Sequence, residues 1–276
     1  MNPAVSRGGR RALTAIFALL LLFLYAPIAI LIVFSFNDRQ LVSFPWQGFT
    51  IRWYQAFLRN EALLTSLRVS AQVAAITAVV TVVLAVPAAI ALVRRRFRAK
   101  GLVTGALLAP LVIPLVVFGI SLLVLFNAVG IPLSPLTIAV GHIVVALPFA
   151  ILTVAPRLER IPAQLEEAAR DLGADGMTAF RTITLPLLAP AVLSAFLISF
   201  VISFDEVVVA SFVAGDEPTF PLYVFSQIRL PRQLPPVIAV AVVVMLVSAV
   251  VSAGSEIGRW VADRRLEAGA GGGGAR

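Results

Sequence analysis

GLVTGALLAPLVIPLVVFGISLLVLFNAVGIPLSPLTIAVGHIVVALPFAILTVAP, residues 101–156, contains no Asp, Glu, Lys or Arg. No soluble core helix or strand needs an uncharged stretch of that length. A bilayer core about 30 Å thick takes about 20 apolar residues per helix. The run therefore holds two crossings, 102–126 and 136–155, with Gly130-Ile131-Pro132-Leu133-Ser134-Pro135 as the tight turn between them. On its N-terminal side, residues 69–93 form a second apolar helix, stopped by Arg94-Arg95-Arg96-Phe97-Arg98-Ala99-Lys100. Residues 12–36, behind Arg7, Arg10 and Arg11, exceed the roughly 7–15 apolar residues of a signal peptide, so they read as an uncleaved first span. Residues 187–213 and 234–255 complete the set. The expectation is an all-α membrane protein of six transmembrane helices, with a short tail at 1–11 and a membrane domain over 12–262. A glycine-rich, flexible tail follows at 263–276.

Composition agrees. Of the 276 residues, 60% are hydrophobic and 13% charged, with a mean hydropathy of +0.99, against about 25% charge in a soluble domain. The absence of cysteine excludes disulfides, thiol catalysis and thiolate metal sites. One histidine, His142, leaves no multi-histidine metal site or histidine relay.

Basic residues set the orientation. With the N-terminus inside, the inner segments hold 16 of the 22 Lys and Arg, and the outer segments hold 6. Both termini are therefore expected in the cytoplasm. The net charge of +8 belongs to this bias and to anionic lipid headgroups. Nucleic acid is not an expected partner, because the basic residues flank spans.

The inner loop 157–186 is the most informative segment. Pro162 suits the first turn of a helix, and Leu165, Ala168, Ala169 and Leu172 come after it at i, i+3, i+4 and i+7 as one narrow apolar stripe. Gly173 stands where a left-handed residue ends a helix, and a second short helix is expected over 176–182. Small residues let another backbone approach closely, while Glu166 and Glu167 can meet a partner's Arg or Lys. A surface helix lying on its own bundle or on the headgroups has the same composition.

The spacing of this loop is specific. Glu167-Ala168-Ala169, three residues, Gly173, nine residues, Ile183, one residue, Leu185-Pro186 resembles the EAA loop of ABC importer membrane subunits. From Asn60 to Gly215, including Ala168-Ala169-Arg170-Asp171-Leu172-Gly173-Ala174 and Ser203-Phe204-Asp205-Glu206-Val207-Val208-Val209-Ala210-Ser211-Phe212-Val213, the chain is similar to the second permease subunit of spermidine/putrescine importers. Phe36-Asn37, Trp46-Gln47-Gly48-Phe49-Thr50 and Trp53-Tyr54 resemble that group's first outer loop. The resemblance implies the type I ABC importer permease fold in a bacterial inner membrane. It also implies a dimer of ABC ATPases docked at Glu166, Glu167, Ala168, Ala169, Gly173, Ile183, Leu185 and Pro186, a second homologous permease subunit, and an extracytoplasmic solute-binding protein. The implied solute is a small amine: spermidine, putrescine, an opine, 4-aminobutyrate or an aminophosphonate. No cofactor is expected on this chain; ATP and magnesium belong to the partner ATPase.

Asp205 and Glu206 interrupt the apolar run of the fifth span, roughly 27 Å beyond Leu187 at helical rise. Ionisable groups in spans face bundle interiors or water. If the helix continues, Ser199, Ser203, Glu206 and Ala210 share one stripe, and Asp205 is turned away over Ile198 and Val201. That arrangement places Glu206 with Ser203 and Ser199 on the translocation path, and Asp205 against a neighbouring helix or the gate. Alternatively, both carboxylates reach the interface or pair with Arg229 or Arg232. His142 reads as a satisfied interior imidazole, Gln72 and Asn127 as interhelical hydrogen bonds. Pro27, Pro87, Pro110, Pro114 and Pro148 are candidate kinks. The outer segment 37–67, with Trp46, Trp53 and Tyr54, suits an interfacial helix, an aromatic belt or a contact for the binding protein.

Other classes fit less well. There is no Gly-x4-Gly-Lys-[Ser/Thr] phosphate loop, and Lys100 is the sole lysine. An intramembrane hydrolase would have only His142 as its imidazole and lacks a Gly-x-Ser-x-Gly elbow. A secondary transporter would show paired repeats with charges near the midplane, and neither is found.

Overall fold

The computed structural model describes residues 7–40, 43–230 and 234–247. Regular structure among them is helical; the one strand-like feature is an isolated bridge between Asn37 and Phe49. The chain divides into two compact units, one from Met1–Glu61 with Gln227–Arg276, the other Ala62–Ser226. The N-terminal residues 1–6, the sixth span beyond 247, Arg232 and the tail at 263–276 lie outside the described residues.

In the first unit, α1 (Arg7–Phe34) is an apolar helix with Pro27 inside it. Its most apolar window buries no residue, so its side chains are left for lipid or another subunit. The segment after it is tied by its own polar groups. Trp53 Nε1 donates to the Asn37 carbonyl (2.8 Å), the Ser35 and Tyr54 hydroxyls are 2.7 Å apart, and Arg52 pairs with Asp38 at 2.8 Å. Trp53 lies in α2 (Arg52–Leu58) and is buried, so it anchors this loop and does not belong to an aromatic belt.

In the second unit, α3 (Glu61–Arg94) outruns the expected 69–93, with Glu61 in its first turn and Arg94 in its last, the signs that the helix dipole favours. The third span, expected over 102–126 with candidate kinks at Pro110 and Pro114, is broken there into two helices. α4 (Lys100–Leu108) and α5 (Leu115–Ala128), joined through a 3-10 turn at Ala109–Leu111, meet at 101°. Pro110 and Pro114 cause the break, since neither has an N–H to continue the ladder. The helix α6 (Pro135–Glu159) starts with Ser134 and Thr137 capping each other. After α7 (Gln164–Asp171), the two helices expected at 176–182 and 187–213 are one rod. α8 (Gly176–Ala179) runs through a π turn, Phe180–Thr184, into α9 (Leu185–Asp205). The rod stops at Asp205, and chain to 213 returns as a short α10 (Ala210–Val213), with α11 (Phe220–Gln227) after it. Gln72 and Asn127, expected to bond between helices, are exposed.

Among the described residues four helices are long and apolar enough to cross a membrane, or five if the bent α4–α5 pair is one span, and the described part of α12 (Leu234–Val247) is a shorter apolar helix. The core of the second unit is organised along α6. At one end Ile138, Ala139 and Val145 pack with Val69, Val73, Leu122, Val209 and Val213. At the other, Ala150, Ile151, Val154 and Leu158 pack with Ala85, Val86, Ala89, Leu188 and Ala195. Alanines on the facing helices allow the close approach that membrane bundles depend on.

Gly141 makes a close contact at the first end. A Cβ there would lie 2.8 Å from Val209 Cγ1 and 3.0 Å from Leu122 Cδ1. Gly141→Ala is expected to destabilise the detergent-solubilised protein by about 1–3 kcal/mol, the range for overpacking. Thermal unfolding should show Gly141→Ala with Val209→Ala losing less than the sum of the single variants.

Candidate functional site

Two places in the second unit gather the polar residues that the sequence singles out. The first is the segment after α6. Arg94 Nη2 donates to the Ile161 carbonyl at 2.6 Å, fixing where the chain leaves α6 against the end of α3. α7 ends at Gly173, whose φ of +93° is the left-handed conformation expected from the sequence. Gly173 N–H donates to the Arg170 carbonyl (2.9 Å) and Ala174 N–H to the Ala169 carbonyl (3.0 Å), the paired bonds of a Schellman termination. Asp175 then caps the next helix by accepting from Thr178 N–H at 2.9 Å. Hydrogen bonds from the Thr178 hydroxyl and backbone hold the Asp175 carboxyl below its ordinary range. This cap is therefore at full strength at neutral pH and is lost only as pH falls through that lowered value.

On α7 the neighbouring carboxylates face different ways. Glu166 Oε1 accepts from the Thr184 hydroxyl at 2.6 Å, with Arg170 3.6 Å from its other oxygen, while Glu167 is exposed. Ala168 is exposed too, and Leu172 stands 91% exposed at the helix end. Of the remaining positions, Ala169 and Ile183 are half-buried, and Leu185 and Pro186 are exposed. Beside this helix a groove of about 780 Å³ runs between the last turns of α3 and the α7–α9 segment. Val82, Val86 and Ile90 give it an apolar wall; Arg94, Arg95, Glu166, Glu167 and Arg170 give it a charged rim. Such a surface, an exposed short helix beside a groove with both charges, suits a protein partner rather than a small reactant.

The second place is the end of α9. Ser199, Ser203 and Glu206, the stripe expected on the translocation path, are buried, and the helix runs through the two serines but ends at Asp205, before Glu206. Glu206 has φ −72° and ψ 119°, extended backbone. Its Oε1 accepts from the N–H groups of Val208 (2.8 Å) and Val209 (3.0 Å), and its Oε2 from those of Val209 (2.9 Å) and Ala210 (3.2 Å). These are donors that the start of α10 would otherwise leave without partners. His142, fully buried on α6, completes the arrangement: Nε2 lies 3.0 Å from Glu206 Oε2 and Nδ1 2.8 Å from Ser203 Oγ. A neutral ring with its proton on Nε2 satisfies both partners, donating to the carboxylate and accepting from the hydroxyl. At its far end, α10 is held by Thr137, whose hydroxyl donates to the Val213 carbonyl at 2.8 Å.

The two carboxylates thus exchange the surroundings expected of them. Glu206 is the bracing group, 8% exposed and enclosed by backbone donors. Asp205 is exposed and makes no ion pair among the described residues. The expectation failed because it turned the residues around a helix that ends one position before Glu206. His142 is the satisfied interior imidazole that the sequence suggests. Thr137 and Thr184 were not singled out: the Ser134-to-Thr137 spacing of a capping box was legible for the first, and nothing in the sequence marks the second. Among the described residues no group of three acidic or histidine side chains could hold a metal ion.

A bundle of broken and continuous apolar helices, presenting one exposed helix beside a charged groove, defines a membrane-embedded protein. The chain belongs to the family of binding-protein-dependent transport system inner membrane components, which residues 81–257 match, and it is a multi-pass inner-membrane protein. It is 40% identical over 252 residues to the spermidine/putrescine transport system permease protein PotC of Escherichia coli, covering 91% of this chain and 92% of that one. It is 37% identical over 216 residues to the putrescine transport system permease protein PotI of Escherichia coli, covering 75% of this chain and 76% of that one. Its fold is shared with a chain in the crystal structure of a bacterial ABC transporter involved in the import of the acidic polysaccharide alginate. That match has a TM-score of 0.72 at 18% identity, over 94% of this chain and 99% of the other.

Glu206→Gln replaces an acceptor with an NH₂ group facing backbone donors, so it should destabilise the protein by about 1–3 kcal/mol. Asp205→Asn, on an exposed side chain, should leave the unfolding temperature unchanged. Thermal unfolding of both variants in detergent checks the asymmetry.

Proposed function

We propose that this chain is one of two homologous permease subunits of an ATP-driven importer that takes a polyamine of the spermidine/putrescine type into the cytoplasm. The observation that carries the reading is the folded EAA-like segment, an exposed helix closed by Gly173, in a chain 40% identical over 91% of its length to a spermidine/putrescine permease. In this reading six helices cross the membrane with both termini in the cytoplasm. An ABC ATPase holds ATP and magnesium and seats the helix at 163–173 together with its flanking groove. A solute-binding protein delivers the polyamine at the opposite face.

The mechanism is a population shift. ATP-bound ATPase and loaded binding protein each favour the outward-open state, and hydrolysis releases it. The solute path runs by the broken end of α9. Asp205, exposed at the last position of α9, offers a negative charge to an ammonium group. Glu206, tied to His142 and the N-terminus of α10, holds that end in place. A charge-assisted hydrogen bond is worth about 1.5–3 kcal/mol, so Asp205→Asn should depress initial spermidine uptake about tenfold or more at matched expression. Uptake that matches wild type would remove Asp205 from the path.

The whole reading is tested in proteoliposomes holding this chain, its partner permease, the ATPase and the binding protein. Radiolabelled spermidine should enter only with ATP and binding protein present. Accumulation driven by a proton or sodium gradient without ATP would overturn it. Gly173→Val, which forces a β-branched residue into a left-handed backbone, should reduce spermidine uptake severalfold while the chain still inserts. Quantitative immunoblotting of the membrane fraction separates the two effects.

A further inference from the structure

Between Ile183 and Leu185 the EAA-like spacing leaves one position open, and Thr184 fills it. It is 1% exposed, at the last residue of the π turn, and its hydroxyl donates to the Glu166 carboxylate at 2.6 Å. A threonine in a helix ordinarily returns its hydroxyl to the carbonyl four residues back. Thr182 does so, donating to the Thr178 carbonyl at 2.7 Å. Thr184 instead reaches across to α7, 18 residues away in the chain. The π turn fits this difference, because its extra residue rotates the helix on its C-terminal side relative to the one on its N-terminal side. Glu166 is held from the other side by Arg170 at 3.6 Å, and the half-buried geometry excludes most competing water.

We infer that Thr184 and Glu166 form a strut between the ATPase-docking helix and the rod α8–α9, and that Thr184 is a positioning residue for the coupling of ATP hydrolysis to solute movement. The inference rests on the reading of residues 163–186 as the ATPase dock. Glu167, exposed on the neighbouring face, is free for the partner, while Glu166 is committed inward. Apart from its packing beside α8 and the π turn, α7 is joined to the rod by the backbone of 172–175, which includes the glycine turn. A push on α7 without the strut would be absorbed in that turn. With it, the push passes at Thr184 into the helix that ends at Asp205 and Glu206.

The test compares wild type with Thr184→Val and Thr184→Ser in the complete reconstituted importer, using radiolabelled spermidine as the probe. ATP hydrolysed per spermidine imported is measured on complexes matched for ATPase content. Thr184→Val keeps the shape and removes the donor, so the ratio should rise about fivefold, the net worth of one such bond. Thr184→Ser should restore the wild-type ratio. Loss of packing alone would lower assembly without moving the ratio. If Thr184→Val assembles poorly, Glu166→Ala, at the other end of the strut, should raise the ratio in the same way. A wild-type ratio in Thr184→Val or Glu166→Ala complexes that assemble fully overturns the strut, as does a Thr184→Ser ratio as high as that of Thr184→Val. Leu172→Asp separates the two readings. If full ATPase content and uptake survive a charge at the exposed end of α7, the dock itself is misplaced, and the strut falls with it.

Discussion

A backbone that breaks inside an apolar span exposes donors and acceptors that hydrocarbon cannot satisfy. In this protein the Glu206 carboxylate meets that constraint where α9 stops. Two oxygens take the N–H groups of three successive residues, at the end of α10 where the helix dipole favours negative charge. The buried charge is costly unless it is hydrogen-bonded on every side, and His142 supplies the remaining donor from α6. The break between α4 and α5 falls at Pro110 and Pro114, which have no N–H to continue the ladder. One break is thus braced across the bundle by side chains, and the other is set by prolines in the chain itself.

The brace makes α6 the reference frame of the second unit. Thr137 holds the C-terminal carbonyl of α10, Gly141 admits Val209, and His142 holds both Ser203 and Glu206. Farther along, Leu158 and Ile161 pack with Leu188 of α9, and Arg94 fixes the carbonyl of Ile161. The rod from Gly176 to Asp205 lies against this frame over much of its length. It spans roughly 45 Å at helical rise, which makes the end next to α7 and the end next to His142 parts of one rigid element. Hydropathy alone separates them into a loop helix and a span.

That difference shows where legibility ended. Spans are written in hydropathy, and the terminator of α7 in a single glycine at the right distance from Leu165, Ala168 and Ala169. Both are local signals, so both could be read. The π turn adds one residue within a segment whose polar and apolar residues are mixed, and no periodicity reports it. The pairing of His142 with Ser203 and Glu206 joins residues 61 and 64 apart. Nothing local distinguishes a histidine that meets a carboxylate from one that meets a carbonyl. The periodicity grouped Ser199, Ser203 and Glu206 on one face, but it could not tell a face that lines a path from one that α6 covers, and in this structure His142 of α6 covers it.

The division of labour on α7 comes from the same economy of polar groups. A short helix exposing Ala168 and Leu172 has little apolar surface to hold it against its own bundle, so its position depends on its ends and on Glu166. The N-terminal end is fixed through Arg94 and Ile161, the C-terminal end closes at the Gly173 turn, and the side is fixed through Thr184. With one end and one side anchored, the helix keeps its orientation while its outer face remains uncovered. Leu172, almost entirely in solvent at the turn, contributes nothing to this unit's own packing. An apolar side chain so placed, beside an exposed carboxylate at Glu167 and a groove rimmed by both charges, leaves the outer face of α7 uncovered by its own unit.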